Sequence, residues 1–69
     1  MIKTIDARGL SCPQPVILAN KAIDEGTFPI EVFVDTVTAR ENVRRMSSNK
    51  GLQVVIEEVN EEFKLTLSR

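Results

Sequence analysis

Cys12 is the only cysteine of this 69-residue chain. It stands in the run Gly9-Leu10-Ser11-Cys12-Pro13-Gln14-Pro15, directly ahead of a segment with helical periodicity. Proline presets φ near the helical value and has no N–H, so it suits the first turn, where N–H groups lack an intrahelical acceptor. Pro13 therefore reads as the first helical residue, Cys12 as its cap and Pro15 as the third helical residue, which leaves the N–H groups of Gln14 and Val16 free to face the sulfur. The partial positive charge of a helix N-terminus favours thiolate over thiol and lowers the pKa from its free value of about 8.5. Arg8, four residues upstream, is a second source of positive charge. The ordinary reading of a lone cysteine is a small buried hydrophobe. Prolines one and three residues after it, at a helix start, and the nearby polar residues Ser11 and Gln14 argue instead for an accessible thiol.

Composition excludes most other thiol chemistry. With one cysteine there is neither an internal disulfide nor a Cys-x-x-Cys redox pair, since Pro15 stands where a resolving cysteine would be. The chain has no histidine, so zinc sites and Cys-His nucleophile pairs are not expected, and no metal or cofactor is called for. Any activation of Cys12 must come from the helix terminus and nearby cations. A formal net charge of −1 with 28% charged residues does not select a polyanionic partner. No apolar run reaches membrane-spanning length, and Met1-Ile2-Lys3-Thr4 lacks the layout of a signal peptide, which predicts a soluble cytoplasmic protein with no membrane partner. A chain of this length forms one domain, residues 1–69, burying about 60% of its unfolded surface.

The elements that position Cys12 are legible from punctuation and period. Ile2 to Asp6 is a short strand, leading through Ala7-Arg8-Gly9 into the cysteine turn. The first helix is expected from Pro13 to about Glu25, stopped by Gly26. At 100° per residue it gathers Pro15, Val16, Leu18, Ala19, Ala22 and Ile23 on one face, with Gln14, Asn20, Lys21, Asp24 and Glu25 opposite. Ile17 falls among the polar residues one turn from the cysteine, so it and Lys21 are candidates for partner docking. Ile30 to Asp35 alternates Ile30, Val32 and Val34 against Glu31, Phe33 and Asp35. Asp35, at the strand end near the cysteine loop, reads as a turn or capping residue. Thr38-Ala39-Arg40-Glu41 matches a capping box for a second helix ending near Asn49-Lys50-Gly51. Its apolar stripe is Ala39, Val43 and Met46; Arg40 and Arg44 lie on the solvent side, and Arg45 is set to pair with Glu41. Leu52, Val54 and Ile56, then Phe63, Leu65 and Leu67, alternate as two further strands joined at Asn60-Glu61. The order β-α-β-α-β-β with apolar strand faces predicts an α+β, two-layer sandwich: a mixed four-stranded sheet with two helices on one face. The other face, with Phe33 and Val55, offers at most weak self-pairing.

Asp6-Ala7-Arg8-Gly9-Leu10-Ser11-Cys12-Pro13-Gln14-Pro15-Val16, in this element order, resembles the TusA/SirA/YedF sulfur-carrier family across essentially the whole chain. The resemblance implies a fold like the C-terminal domain of translation initiation factor three, and it makes Cys12 of the Cys-Pro-x-Pro motif the sulfur acceptor. Ala7-Arg8-Gly9-Leu10, Gln14, Val34-Asp35 and Glu41-Asn42-Val43 are similar to the YedF branch, linked to selenium metabolism, in which a second domain often follows. Ser11 and Gln14 depart from TusA itself, which has a basic and an acidic residue there. The expected function is a sulfur or selenium carrier, sulfurtransferase-like rather than a true catalyst. Cys12 would hold a persulfide, Arg8, Gly9, Pro13, Gln14 and Pro15 would shape and stabilise the site, and Ile17, Lys21, Arg40 and Arg44 would dock partners. The expected partners are a cysteine desulfurase-like or other persulfide or selenium donor and a downstream acceptor protein. Two alternatives, both ranked below the carrier, are a redox-sensing thiol and an RNA- or protein-binding regulatory module using the basic second helix, with RNA binding ranked lowest because the net charge is slightly negative.

Overall fold

Alternation makes Ile30, Val32 and Val34 one face of a strand, and in the computed structural model, which describes residues 2–10 and 13–69, all three are fully buried. The elements are β1 (Lys3–Asp6), α1 (Gln14–Glu25), β2 (Ile30–Val34), α2 (Val37–Asn49), β3 (Gln53–Val59) and β4 (Glu62–Ser68). The sheet order is β1-β2-β4-β3, with β1 parallel to β2 and the other neighbours antiparallel. This is the expected mixed four-stranded sheet. Its buried face, carried by Ile30, Val32, Val34, Phe63, Leu65 and Leu67, packs against Ala19, Ala22 and Ile23 of α1 and Ala39 and Val43 of α2. No helix among the described residues is long and apolar enough to cross a membrane.

Four local details differ from expectation. The cap of α1 is Pro13, at φ −101° and ψ 17°, so Gln14 is the first helical residue and Pro15 the second; the capping role assigned to Cys12 falls outside the described residues. In α2 the cap is Thr36, not Thr38: the Thr36 hydroxyl accepts from the Ala39 N–H at 3.0 Å. Glu41, expected to reach back to the cap and to Arg45, instead accepts from Arg40 at 3.0 Å and from Arg44 at 3.0 and 3.2 Å. The helix face also contains a fully buried serine, Ser47, whose hydroxyl has no hydrogen-bond partner among the described residues. Asn20, expected in solvent, is half-buried with its carbonyl oxygen similarly unpaired.

The β3–β4 hairpin closes through Asn60 and Glu61, with φ of 52° and 66°, between the paired residues Val59 and Glu62. Two successive positive φ values mark the turn whose twist matches the flanking strands. Asn tolerates this region and Glu does not. Glu61→Gly is therefore expected to stabilise the fold by about 0.5 kcal/mol, the relief of strain exceeding the entropy glycine adds to the unfolded chain. Thermal unfolding should show a midpoint about 2–4 °C higher; an unchanged or lower midpoint contradicts the account.

Candidate functional site

The parallel pairing of β1 and β2 brings their carboxyl ends together, so the β1–α1 loop and the β2–α2 turn lie side by side. Ala7 continues the ladder, donating to the Phe33 carbonyl at 2.8 Å. Gly9, at φ 77°, then donates its N–H to the Asp35 carboxylate at 2.9 Å. A Cβ at Gly9 would meet nothing within 4 Å, so the backbone conformation rather than space calls for glycine. Asp35 thus anchors the loop that leads to Cys12 from across the sheet. Both helices begin at this end, and the first-turn N–H groups of α1 present there are those of Gln14 and Val16, Pro15 having none. Ile17 already donates to the Pro13 carbonyl at 3.1 Å.

Of the residues singled out in the sequence, Gly9, Pro13, Gln14 and Pro15 lie along this loop and helix start, while Ser11 and Cys12 lie outside the described residues. Pro15 is buried and fixes the first turn against the core; Gln14 is exposed. Arg8 has another engagement. Its guanidinium grips Asp6 through two contacts of 2.8 and 2.9 Å and reaches Glu62 at 3.1 Å, with its carbon 5.9 Å above the Phe33 ring. Phe33 and Asp6 lie on the sheet face away from the helices, so the positive charge of Arg8 is answered there by two carboxylates. Its hydrogen bonds to Asp6 hold that carboxyl at a pKa of about 2, below the usual 3.8; the same contacts, with Glu62, push the guanidinium's pKa further up.

A depressed carboxylate pKa contributes stability that is present above the unfolded value and is lost as pH falls through the folded one. For Asp6 that window runs from about 3.8 down to about 2. Arg8→Gln is expected to return the Asp6 carboxyl to the ordinary range, read by carboxyl-carbon NMR titration. A midpoint that stays near 2 would show that other groups hold the charge.

Ile17 is half-exposed at 51%, and Lys21 is exposed beside Leu18 and Glu25. Arg40 and Arg44 are partly covered and tied to Glu41, and Arg40 stacks 4.8 Å from the Phe63 ring centre. These contacts hold the Glu41 carboxyl below its ordinary pKa, Arg44's hydrogen bond being the largest cause. A different cation is open. Arg45 is exposed and has no carboxylate within ion-pair distance among the described residues. With Lys50 it borders a groove of about 500 Å³ between the start of α1 and α2, beside Pro13. Sequence reading missed this groove because it depends on how the two helices cross, which residue spacing within either one does not fix.

The model of the family described as sulfurtransferase TusA matches residues 3–69. A candidate sulfur carrier protein of Methanocaldococcus jannaschii is 34% identical over 71 residues, covering 99% of this chain and 95% of that protein. The crystal structure of a SirA-like protein from Desulfitobacterium hafniense superposes with a TM-score of 0.84 at 38% identity, covering 97% of this chain and 95% of the other. A family match over nearly every residue, joined to a fold shared with a SirA-like protein, means that this chain belongs to the TusA sulfurtransferase family.

Proposed function

We propose that this protein is a sulfur carrier that accepts a sulfane sulfur on Cys12 and relays it to a second protein. The observation that carries this reading is the family match over residues 3–69 in a chain whose sole cysteine sits in Cys-Pro-Gln-Pro. In the loading step the Cys12 thiolate attacks the terminal sulfur of a donor persulfide. The donor's sulfur–sulfur bond breaks, the donor cysteine leaves as thiolate, and Cys12 becomes a persulfide with no net oxidation. Delivery repeats the exchange with an acceptor thiolate and returns Cys12 to its starting state. Selenium in the terminal position would follow the same exchange.

The protein's part is to hold and present an anionic sulfur. The first-turn amides of α1 supply the positive potential. Arg8, paired with Asp6 and Glu62, keeps the loop's root on the sheet, and Asp35 fixes Gly9. Intact-mass spectrometry after incubation with a cysteine desulfurase and cysteine tests the proposal. A gain of one sulfur atom, removed by reductant, is expected. A mass that stays unchanged both with this donor and with inorganic polysulfide overturns it.

A further inference from the structure

The grooves of this surface differ in charge. One along β1 and α1 is bordered by charges of both signs, Asp6 and Glu25 with Lys3 and Lys21, and one on the open sheet face likewise by Glu31, Glu57 and Glu62 with Arg8 and Lys64. The groove between α1 and α2 has no carboxylate among its described lining residues. Its walls are apolar at Pro13, Val16 and Met46 and cationic at Arg45 and Lys50. Arg45 has no ion-pair partner among the described residues, while Lys50 pairs loosely with the exposed Asp24 at 3.8 Å, outside the groove's lining. In a chain of net charge −1, this is a local positive site on partly apolar ground.

We propose that this groove seats an acidic, partly apolar segment of the protein that exchanges sulfur with Cys12; the inference rests on the carrier reading and adds its docking surface. Carboxylates of the segment meet Arg45 and Lys50, and an apolar side chain covers Val16 and Met46, whose thioether adapts to irregular shapes. The groove is open to solvent rather than enclosed, which suits a peptide segment better than a buried small molecule. Pro13 lines the groove and is the chain neighbour of Cys12, so a segment lying there brings its own protein to the thiol. The docking side is thus the α1–α2 seam, in place of the Lys21, Arg40 and Arg44 surface.

The test uses isotope-labelled full chain carrying Cys12→Ser, titrated with a synthetic peptide of alternating Leu and Glu and with a matched Leu and Lys peptide. The acidic peptide is expected to shift the amide signals of Val16, Arg45, Met46 and Lys50. Combining Arg45→Glu with Lys50→Glu should weaken binding about fivefold, as two exposed charge contacts imply. Added salt should weaken it as well, and Lys21→Glu should leave it unchanged. Shifts elsewhere, equal shifts with the basic peptide, or an equal loss in Lys21→Glu overturn the proposal, as does the absence of shifts. Sulfur chemistry plays no part in this titration. Wild-type protein that binds the peptide and takes up no sulfur therefore refutes the carrier reading alone, and protein that takes up sulfur without binding refutes the groove.

Discussion

Leu65→Ala should unfold a large fraction of this protein at physiological temperature. Leu65 lies mid-strand in β4, opposite Val32 of β2 on one side and Ile56 of β3 on the other, and is fully buried. Truncation removes apolar contacts and leaves a cavity that two flanking strands prevent from collapsing, at a cost of about 2–5 kcal/mol. A domain this size has only about 3–10 kcal/mol to lose. The denaturation midpoint is therefore expected to fall by about 10 °C or more. Val55→Ala provides the comparison: Val55 lies in the neighbouring strand on the open face, 56% exposed, and its truncation should cost no more than about 0.5 kcal/mol. If Leu65→Ala costs less than about 1 kcal/mol, the sheet's buried face is not the core described here.

What made Leu65 legible is also what hid other features. Period-two strands write their buried face directly into sequence, so Ile30, Val32, Val34, Phe63, Leu65 and Leu67 could be placed before the fold was known. The α1 face followed in the same way, and Gly26 ends that helix at φ 78° with its N–H bonded to the Ile23 carbonyl. Caps were less legible because adjacent residues compete for them. Thr36 and Thr38 both precede a helical run, and Glu41 fits a capping box with Thr38, yet Arg40 and Arg44 draw that carboxylate outward and Thr36 caps Ala39. Ser47 read as polar although the packing of α2 buries it completely. At the site, the Gly9–Asp35 and Arg8–Glu62 contacts join residues 26 and 54 positions apart. They arise from the order β1-β2-β4-β3, and no spacing rule within one element contains that order.

The engagement of Arg8 changes what is expected of Cys12 itself. A guanidinium bonded to two carboxylates has little field left to offer a thiolate, so the α1 amides remain as the source of activation. The cap of α1 is Pro13, and the dipole's influence falls off within the first turn. The α1 amides alone would then favour the thiolate and set the thiol pKa. Since the thiolate is the attacking species, sulfur uptake from inorganic polysulfide should rise about tenfold per pH unit below that pKa and level off above it. Cys12→Ser should take up none at any pH. Uptake that persists in the serine variant would place the acceptor elsewhere. A rate that levels off well below neutral pH would mean that a cation other than Arg8 reaches the sulfur. Loading measured against pH in wild type, in Cys12→Ser and in Arg8→Gln separates these cases, because removing Arg8 should leave the midpoint unmoved if Asp6 and Glu62 already hold its charge.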